Sequence, residues 1–375
     1  MRANDVLGII HSQAYDASIR ELTLFRTMAS VPFGCRYRLI DFPLSNMVNA
    51  GITQIGIVTK SNYQSLMDHV GSGKPWDLAR KREGMFILPP YNTNSPHGNH
   101  ESRIESLYSI SDFFKKSRHE YVIMTDANAV YNLDFNDIFR FHSEKEADIT
   151  IVYKHGKVPK NLSLMMFALD NDKRINEISV SQNVDAGTEA NYSFNIFLMR
   201  KSLLEYLVRT AVAHSTTASF ERDVMQANLQ NLKIYGYEAT GFAEIIDSLS
   251  SYYKANMDLL LPDNRKTLFD TRKPIVTKTS DNVPTTYGLD CNVSNSLIAD
   301  GCVINGTVEN SILFRNVHVE KGAVIKNSII MQGSTIHANS VLNSIITDKN
   351  VSITSYKSLS GDKNYPVYIG KGTTV

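Results

Sequence analysis

Three cysteines in 375 residues, Cys35, Cys291 and Cys302, are too few and too widely spaced for a disulfide framework. None forms a CxxC pair or stands with paired histidines, so no zinc site is indicated. Excess charge is missing as well: 39 lysines and arginines face 38 aspartates and glutamates, a net charge of +1. Without a field of one sign, neither nucleic acid nor an anionic membrane is favoured as a partner. No apolar run approaches the roughly 18 residues that would cross a bilayer. Val6 to Ile10 is too short for the core of a secretion signal. The expectation is a cytoplasmic protein whose partners are chosen by local shape. At roughly 150 residues per domain, there is room for two or three domains.

What is present changes character near residue 264. Up to about residue 262, short β-branched runs alternate with longer amphipathic stretches, as βαβ units on a mostly parallel sheet would. Val6–Ile10, Gln54–Thr59, Tyr121–Thr125, Asp148–Tyr153 and Ser193–Leu198 read as strands. Helical periodicity runs over Glu105–Lys115, Asp137–Glu144 and Ser202–Val208. Gly84–Gly98, with Pro89, Pro90 and Pro96, reads as a long loop. Pro262, Pro274 and Pro284 then punctuate a polar connector. These marks divide the chain into an α/β domain at 1–263, a linker at 264–287 and a second domain at 288–375.

In the second domain a six-residue phrase centred on Asn-Ser returns at Val293–Ile298, Val308–Leu313, Ile325–Ile330 and Val341–Ile346. Its starts are separated by 15, 17 and 16 residues. Aliphatics at fixed offsets, with Gly301, Gly306, Gly322 and Gly333 at turns, are what the stacked coils of a parallel β-helix require. The repeated asparagines and apolar residues are expected to form ladders inside it. No histidine pair or coenzyme pocket points to acyl transfer, so assembly is the expected task of this domain.

Val31-Pro-Phe-Gly-Cys-Arg-Tyr-Arg-Leu-Ile-Asp-Phe-Pro-Leu-Ser-Asn46, followed by Asn49-Ala-Gly-Ile52, resembles the opening signature of glucose-1-phosphate adenylyltransferases, also called ADP-glucose pyrophosphorylases. Lys74-Pro-Trp-Asp-Leu78, Leu88-Pro-Pro-Tyr91, Ala255-Asn-Met-Asp-Leu259, Lys273-Pro-Ile-Val276, Asn310-Ser-Ile-Leu-Phe-Arg315 and Tyr368-Ile-Gly-Lys-Gly372 extend the likeness over nearly the whole chain. The resemblance implies a Rossmann-type nucleotidyltransferase α/β domain with a mixed sheet, a left-handed parallel β-helix and tetrameric assembly. The family's reaction joins ATP and glucose 1-phosphate and releases pyrophosphate. That chemistry needs backbone N–H groups around a triphosphate, where glycines allow close approach. It also needs carboxylates for a divalent ion and cations for the sugar phosphate.

Against the family's pattern, each of these devices is missing. The position of the glycine-rich loop holds His11, Ser12, Gln13 and a stretch through Asp16 to Arg20, with no glycine between Gly8 and Gly34. Asp16 would repel phosphate. The lysine that follows this loop falls at Met28. The family's metal-binding aspartate falls at Asn128 and its second carboxylate at Ile245, with Asp126 and Asp247 as the neighbouring acids. The sugar-phosphate lysine falls at Ser181, and the small-residue phrase beside the active site becomes Ser102-Arg-Ile-Glu-Ser106.

The chain thus resembles the non-catalytic, regulatory subunit of bacterial ADP-glucose pyrophosphorylase, expected to need no cofactor and to join a catalytic homologue in a heterotetramer. In isolation, a homo-oligomer is compatible with the same reading. The alternative is a slow or altered sugar-phosphate nucleotidyltransferase that employs Asp126 and Asp247 with Mg²⁺. Arg26 and Arg38 match arginines of the family's anionic activator pocket, with Arg36 between them. Pairing with carboxylates such as Asp41 is the competing account of these three. His11 reads as a loop histidine, Trp76 as pocket rim or loop packing, and Ser45, Asn46 and Asn49 as capping or packing residues of a helix.

Overall fold

The computed structural model of the protein describes residues 2–12, 16–59, 62–89, 102–159, 164–181, 187–214 and 219–375. Gln13 and the stretch 90–101 lie outside the described residues. The first domain forms around β1 (Val6–His11), every residue of which is buried. A strand covered on both faces needs a continuous apolar run, which Val-Leu-Gly-Ile-Ile supplies. Glycine stands at position 8 because α2 (Asp41–Asn49) crosses there: a Cβ would come within 2.6 Å of Met47 Sδ. Ahead of α2 come the short helix α1 (Arg20–Thr23) and a hairpin of β2 (Pro32–Phe33) and β3 (Tyr37–Arg38).

β4 (Gln54–Val58) and β6 (Tyr121–Asp126) flank β1 in parallel, and β5 (Gly84–Leu88) extends the sheet beyond β4. After the two-residue β7 (Ala129–Val130) come β8 (Ile149–Lys157), β9 (Leu164–Leu169), β10 (Ile175–Ser181) and β11 (Glu189–Arg200). β11 runs antiparallel to β6, β8 and β9, and β12 (Ile234–Glu238) pairs in parallel with β8. The main path reads β10-β9-β11-β6-β1-β4-β5, a mixed sheet. The mostly parallel sheet expected from alternation holds for the β5-β4-β1-β6 half. β11 turns the rest, because apolar patterning records which residues are buried and not which way a strand runs.

The expected loop at Gly84–Gly98 is corrected at its start, since Gly84–Leu88 takes ladder hydrogen bonds from β4. α3 (Gln64–Val70) follows β4. The single helix expected over Glu105–Lys115 is two, α4 (Arg103–Ser109) and α5 (Ser111–Lys116), parted at Ile110. There Ser109 Oγ donates to Ser106 O at 2.8 Å, a side-chain competitor for the helical ladder. α4 begins in a capping box, in which Ser102 Oγ accepts from Glu105 N and Glu105 accepts from Ser102 N. α6 (Phe135–Glu144) and α7 (Lys201–His214) extend the other two expected helices.

β13 (Glu244–Ile245) leads through α8 (Leu249–Met257) to α9 (Pro262–Leu268). The linker expected at 264–287 therefore begins inside a helix, started by Pro262 whose fixed φ suits a first turn. It ends in Thr286–Tyr287, the first strand of the second domain. Between these points the chain is strapped to α2: Asn49 donates to Pro274 O at 3.1 Å and Val276 N to Ser45 Oγ at 2.8 Å.

The second domain is a left-handed β-helix of three parallel five-stranded sheets. Val308, Ile312, Leu313, Ile325, Ile329, Ile330, Leu342, Ile345 and Ile346 are fully buried, as the repeat predicts. The asparagines do form a ladder, with Asn295 Nδ2 donating to Asn310 Oδ1 at 2.7 Å and Asn327 Nδ2 to Asn343 Oδ1 at 2.9 Å, but at a corner of the coils and not in the interior. Asn295, Asn310 and Asn327 turn corners with φ of 39°, 47° and 47°, in the left-handed region that asparagine tolerates. The interior polar ladder is made by serine: Ser328 N donates to Ser311 Oγ and Ile345 N to Ser328 Oγ, both at 3.1 Å. Phe314, Met331 and Ile346 of the β-helix share one buried cluster with Phe33, Tyr252 and Leu259 of the first domain. Among the described residues, no helix is long and apolar enough to cross a membrane.

Candidate functional site

β1 leaves the sheet between β4 and β6, and its chain turns out at the carboxyl ends of three parallel strands. Such a switch point is where open α/β sheets form their ligand crevice. Backbone bonds assemble it: Ser12 N donates to Val58 O at 3.0 Å, Ala127 N to His11 O at 3.0 Å, and Ala29 N to Ser12 O at 3.1 Å. His11, Ser12, Asp126 and Asn128 are all buried here.

Just past the position expected to cradle phosphate, Asp16 is engaged by its own chain. Asp16 Oδ1 accepts from Met28 N at 2.7 Å, and Thr23 Oγ1 donates to Asp16 O at 2.6 Å. An amide donor is thereby consumed internally. Met28 is fully buried with Ile19 and Leu22, a core residue at the position matched to a phosphate-facing lysine.

The two positions matched to metal carboxylates do come together. β13 pairs with β7 so that Ile245 faces Ala129, and Ile246 N donates to Asn128 O at 2.7 Å. The residues there are a neutral amide and a hydrocarbon, and because Ile246, not Ile245, stands opposite Asn128, the alternation of the ladder sends their side chains to opposite faces. Asn128 Nδ2 is buried with no partner among the described residues, and a nitrogen donor of this kind repels a cation. The neighbouring acids are engaged elsewhere. Asp247 accepts from Ser248 Oγ at 2.9 Å at the start of α8. Asp126 accepts from Arg103 Nη2 at 2.7 Å. Burial pushes the Asp126 carboxyl up, and the Arg103 guanidinium opposes this. Among the described residues, no group of three or more His, Cys, Asp or Glu is arranged to hold a metal. The donor set does not fit Mg²⁺.

Ser181 ends β10 at the sheet edge, with β9, β11 and β6 between it and β1. Sequence reasoning missed Arg103. Its signal is an arginine one residue past a serine cap, inside a phrase whose relatives carry small residues.

A second site lies at the junction of the domains, a cavity of about 260 Å³. Arg36, Arg38, Lys278, Arg315 and Lys349 line it, and no aspartate or glutamate does. Arg26 does not line it: its Nη2 donates to both carboxylate oxygens of Asp348 at 2.8 and 2.9 Å, a buried ion pair across the domain junction. The expected trio is thus corrected to Arg36 and Arg38, because Arg26 is held by a carboxylate 322 positions away in the chain. The carboxylate is Asp348 and not Asp41, which instead accepts from Arg38 N at 2.9 Å and lies 2.6 Å from His69 Nε2. Arg38 Nη1 donates to Ser65 O and Oγ. Burial pushes Arg38 down to about 10 against the pull of Asp41. Burial, then Arg38 and Arg26, push Lys349 down to about 7.

Trp76 is buried and packs edge-on against His69, so it belongs to the support of this junction. Asn46 accepts from Leu133 N at 2.6 Å and donates to Phe42 O at 2.7 Å, tying α2 to the strand ends.

Residues 18–260 match the family described as nucleotidyl transferase, and residues 281–365 the GlmU-like C-terminal hexapeptide family. The chain is 36% identical over 374 residues to the glycogen biosynthesis protein GlgD of Bacillus subtilis (strain 168), covering 98% of this chain and 96% of that one. It is 37% identical over 322 residues to GlgD of Geobacillus stearothermophilus, with 86% and 83% covered. It is 32% identical over 331 residues to a glucose-1-phosphate adenylyltransferase of Clostridium botulinum (strain Alaska E43 / Type E3), with 88% and 85% covered.

Proposed function

The chain belongs to the nucleotidyl transferase family, among the glucose-1-phosphate adenylyltransferases and GlgD proteins, and we propose that it is a regulatory, non-catalytic subunit of such an adenylyltransferase in glycogen biosynthesis. Its partner is a catalytic homologue, and the two form a heterotetramer in the cytoplasm. The observation that supports this reading is that Asn128 and Ile245 stand where the resemblance expects metal carboxylates, while the neighbouring acids Asp126 and Asp247 already accept from Arg103 and Ser248. Phosphoryl chemistry is almost wholly positioning and charge stabilisation, so a site that cannot hold a cation lacks its largest contribution.

The subunit acts through conformational equilibrium. A chain that binds one state of its neighbour more tightly shifts the neighbour toward that state, by no more than the difference in binding free energy. The cationic junction cavity receives an anionic effector, with Arg36 and Arg38 able to grip phosphate oxygens. The alternative, an active enzyme using Asp126 and Asp247, is weakened because Arg103 and Ser248 already hold those carboxylates.

Turnover measured for the purified chain, for a catalytic homologue and for their mixture tests the reading. No ADP-glucose from the chain alone, with altered rate or affinity in the mixture, is expected. Ordinary Mg²⁺-dependent turnover by the isolated chain would overturn it.

A further inference from the structure

We propose that the guanidinium of Arg103 is a built-in replacement for the divalent cation, and that it keeps this end of the sheet closed to metal. The proposal deepens the reading of a non-catalytic subunit and rests on it only in taking the corner as unused for nucleotide. Arg103 Nη2 lies 2.7 Å from Asp126 Oδ2, and Arg103 Nε lies 3.6 Å from Glu221 Oε1. One cation therefore stands between two carboxylates that come from separate parts of the chain. Asp126 ends β6, while Glu221 opens a π-helical turn over Phe220–Gln226.

The position is built, not incidental. The guanidinium carbon sits 5.6 Å from the ring centroids of both Phe197 and Phe220, which fix its plane and shed water. The Ser102 capping box sets the first turn of α4, so the arginine leaves the helix at a defined point. Asp126 is directly beside His11 in the sheet register, at the mouth of the switch point. A carboxylate buried there needs a cation, whether bound from solution or supplied by the chain. Arginine suits the second solution because it stays charged on burial and presents a planar set of donors. Once it is in place, a divalent ion would meet a fixed positive charge and only one or two oxygens, far from the six that Mg²⁺ demands.

Removing the guanidinium charge leaves Asp126 and Glu221 facing one space. Arg103→Met, which keeps the stem and removes the charge, is expected to gain one Mn²⁺ site of submillimolar affinity. Electron paramagnetic resonance of free Mn²⁺ reads the binding, and Mn²⁺ should raise the variant's melting temperature while leaving the wild type unmoved. Adding Asp126→Asn should abolish both effects. Arg103→Lys is the second variant, since it retains a cation: it should fold and stay blind to Mn²⁺. Mn²⁺ binding by the wild type or by Arg103→Lys, lost on Asp126→Asn, would overturn the proposal, as would a folded Arg103→Met chain that binds none. The turnover assay is independent: an active chain with a Mn²⁺-blind corner sinks the regulatory reading and leaves this one standing. An inactive chain that binds Mn²⁺ through Asp126 does the reverse.

Discussion

Replacing Asp348 with alanine strips the domain junction of its buried anion. Asp348 accepts from Arg26 twice, at 2.8 and 2.9 Å, from Tyr368 Oη at 2.8 Å and from Lys349 N at 2.7 Å. The Arg26 and Asp348 side chains are 3% and 1% exposed, so water cannot stand in for the lost carboxylate. Breaking a buried pair from one side costs about 3–5 kcal/mol, because a charge remains without a counterion. Taking about 4 kcal/mol, and an unfolding entropy of about 0.8 kcal/mol per kelvin for a chain this long, the melting temperature should fall by about 5 °C. Arg26→Met combined with Asp348→Ala removes both charges, and the double variant should recover about 2 kcal/mol of the loss. Urea unfolding of the four proteins gives the coupling directly. A single variant that loses less than about 1 kcal/mol, or single losses that add fully in the double, would refute the account of a desolvated pair holding the domains together.

Anion binding at the junction should depend on pH through Lys349, which sits at about 7 in the free protein. If the charged form is the one that binds, affinity for inorganic phosphate analogues of fixed charge falls roughly tenfold from about pH 6 to pH 8, with near-stoichiometric proton uptake at the upper end. Sulfate calorimetry in buffers of different ionisation heat checks this, and Lys349→Gln should flatten the dependence. The groups that face Lys349 are Arg38, Arg26, Asp348 and Lys371. His69, on the same cavity, is pushed down by burial against Asp41, so it adds little above neutrality. For stability the sign is the opposite of the usual lysine case. The unfolded lysine holds its proton up to the ordinary 10.5, so this group's contribution rises as pH climbs from about 7. Gly8→Ala should cost about 1–3 kcal/mol by overpacking against Met47, and Met47→Ala should recover part of it in thermal melts.

The β-helix was legible because its repeat is a one-dimensional record of three dimensions: aliphatics at fixed offsets mark the same wall of every coil. The place of the asparagines was not. An Asn beside an apolar residue in each phrase fits an interior ladder or a corner equally well, and only the backbone, with φ near 47° at Asn310 and Asn327, decides. In the first domain the buried strands β1, β4 and β6 were readable from continuous apolar runs. The antiparallel turn of β11 was hidden, since direction leaves no mark on burial. The resemblance alone pointed to Asn128 and Ile245, and the backbone ladder sets them one step apart, with Ile245 opposite Ala129 and Ile246 opposite Asn128. Arg103 and the cations Arg315 and Lys349 escaped because their partners lie far along the chain. No local pattern announces that Lys349 will face Arg38, or that Arg26 will leave the anion site for Asp348.

These pairings have a common consequence for how the chain manages charge. In a working nucleotidyltransferase, buried carboxylates and phosphate oxygens are neutralised by groups that come and go with each turnover. Here groups near the corresponding positions are engaged by the chain itself: the Asp126 carboxylate by Arg103, and the Met28 amide by Asp16. The junction cavity differs, with five cationic side chains and, among the described residues, no lining carboxylate, although Asp300 pairs with Arg315 from outside the lining; burial holds Lys349 down at about 7. Lys349 is covalently next to Asp348, whose carboxylate clasps Arg26 of the first domain. On the proposed reading, an anion that draws on Lys349 would act one residue from the clamp between the domains, and that adjacency would link a soluble ligand to the geometry of the domain junction.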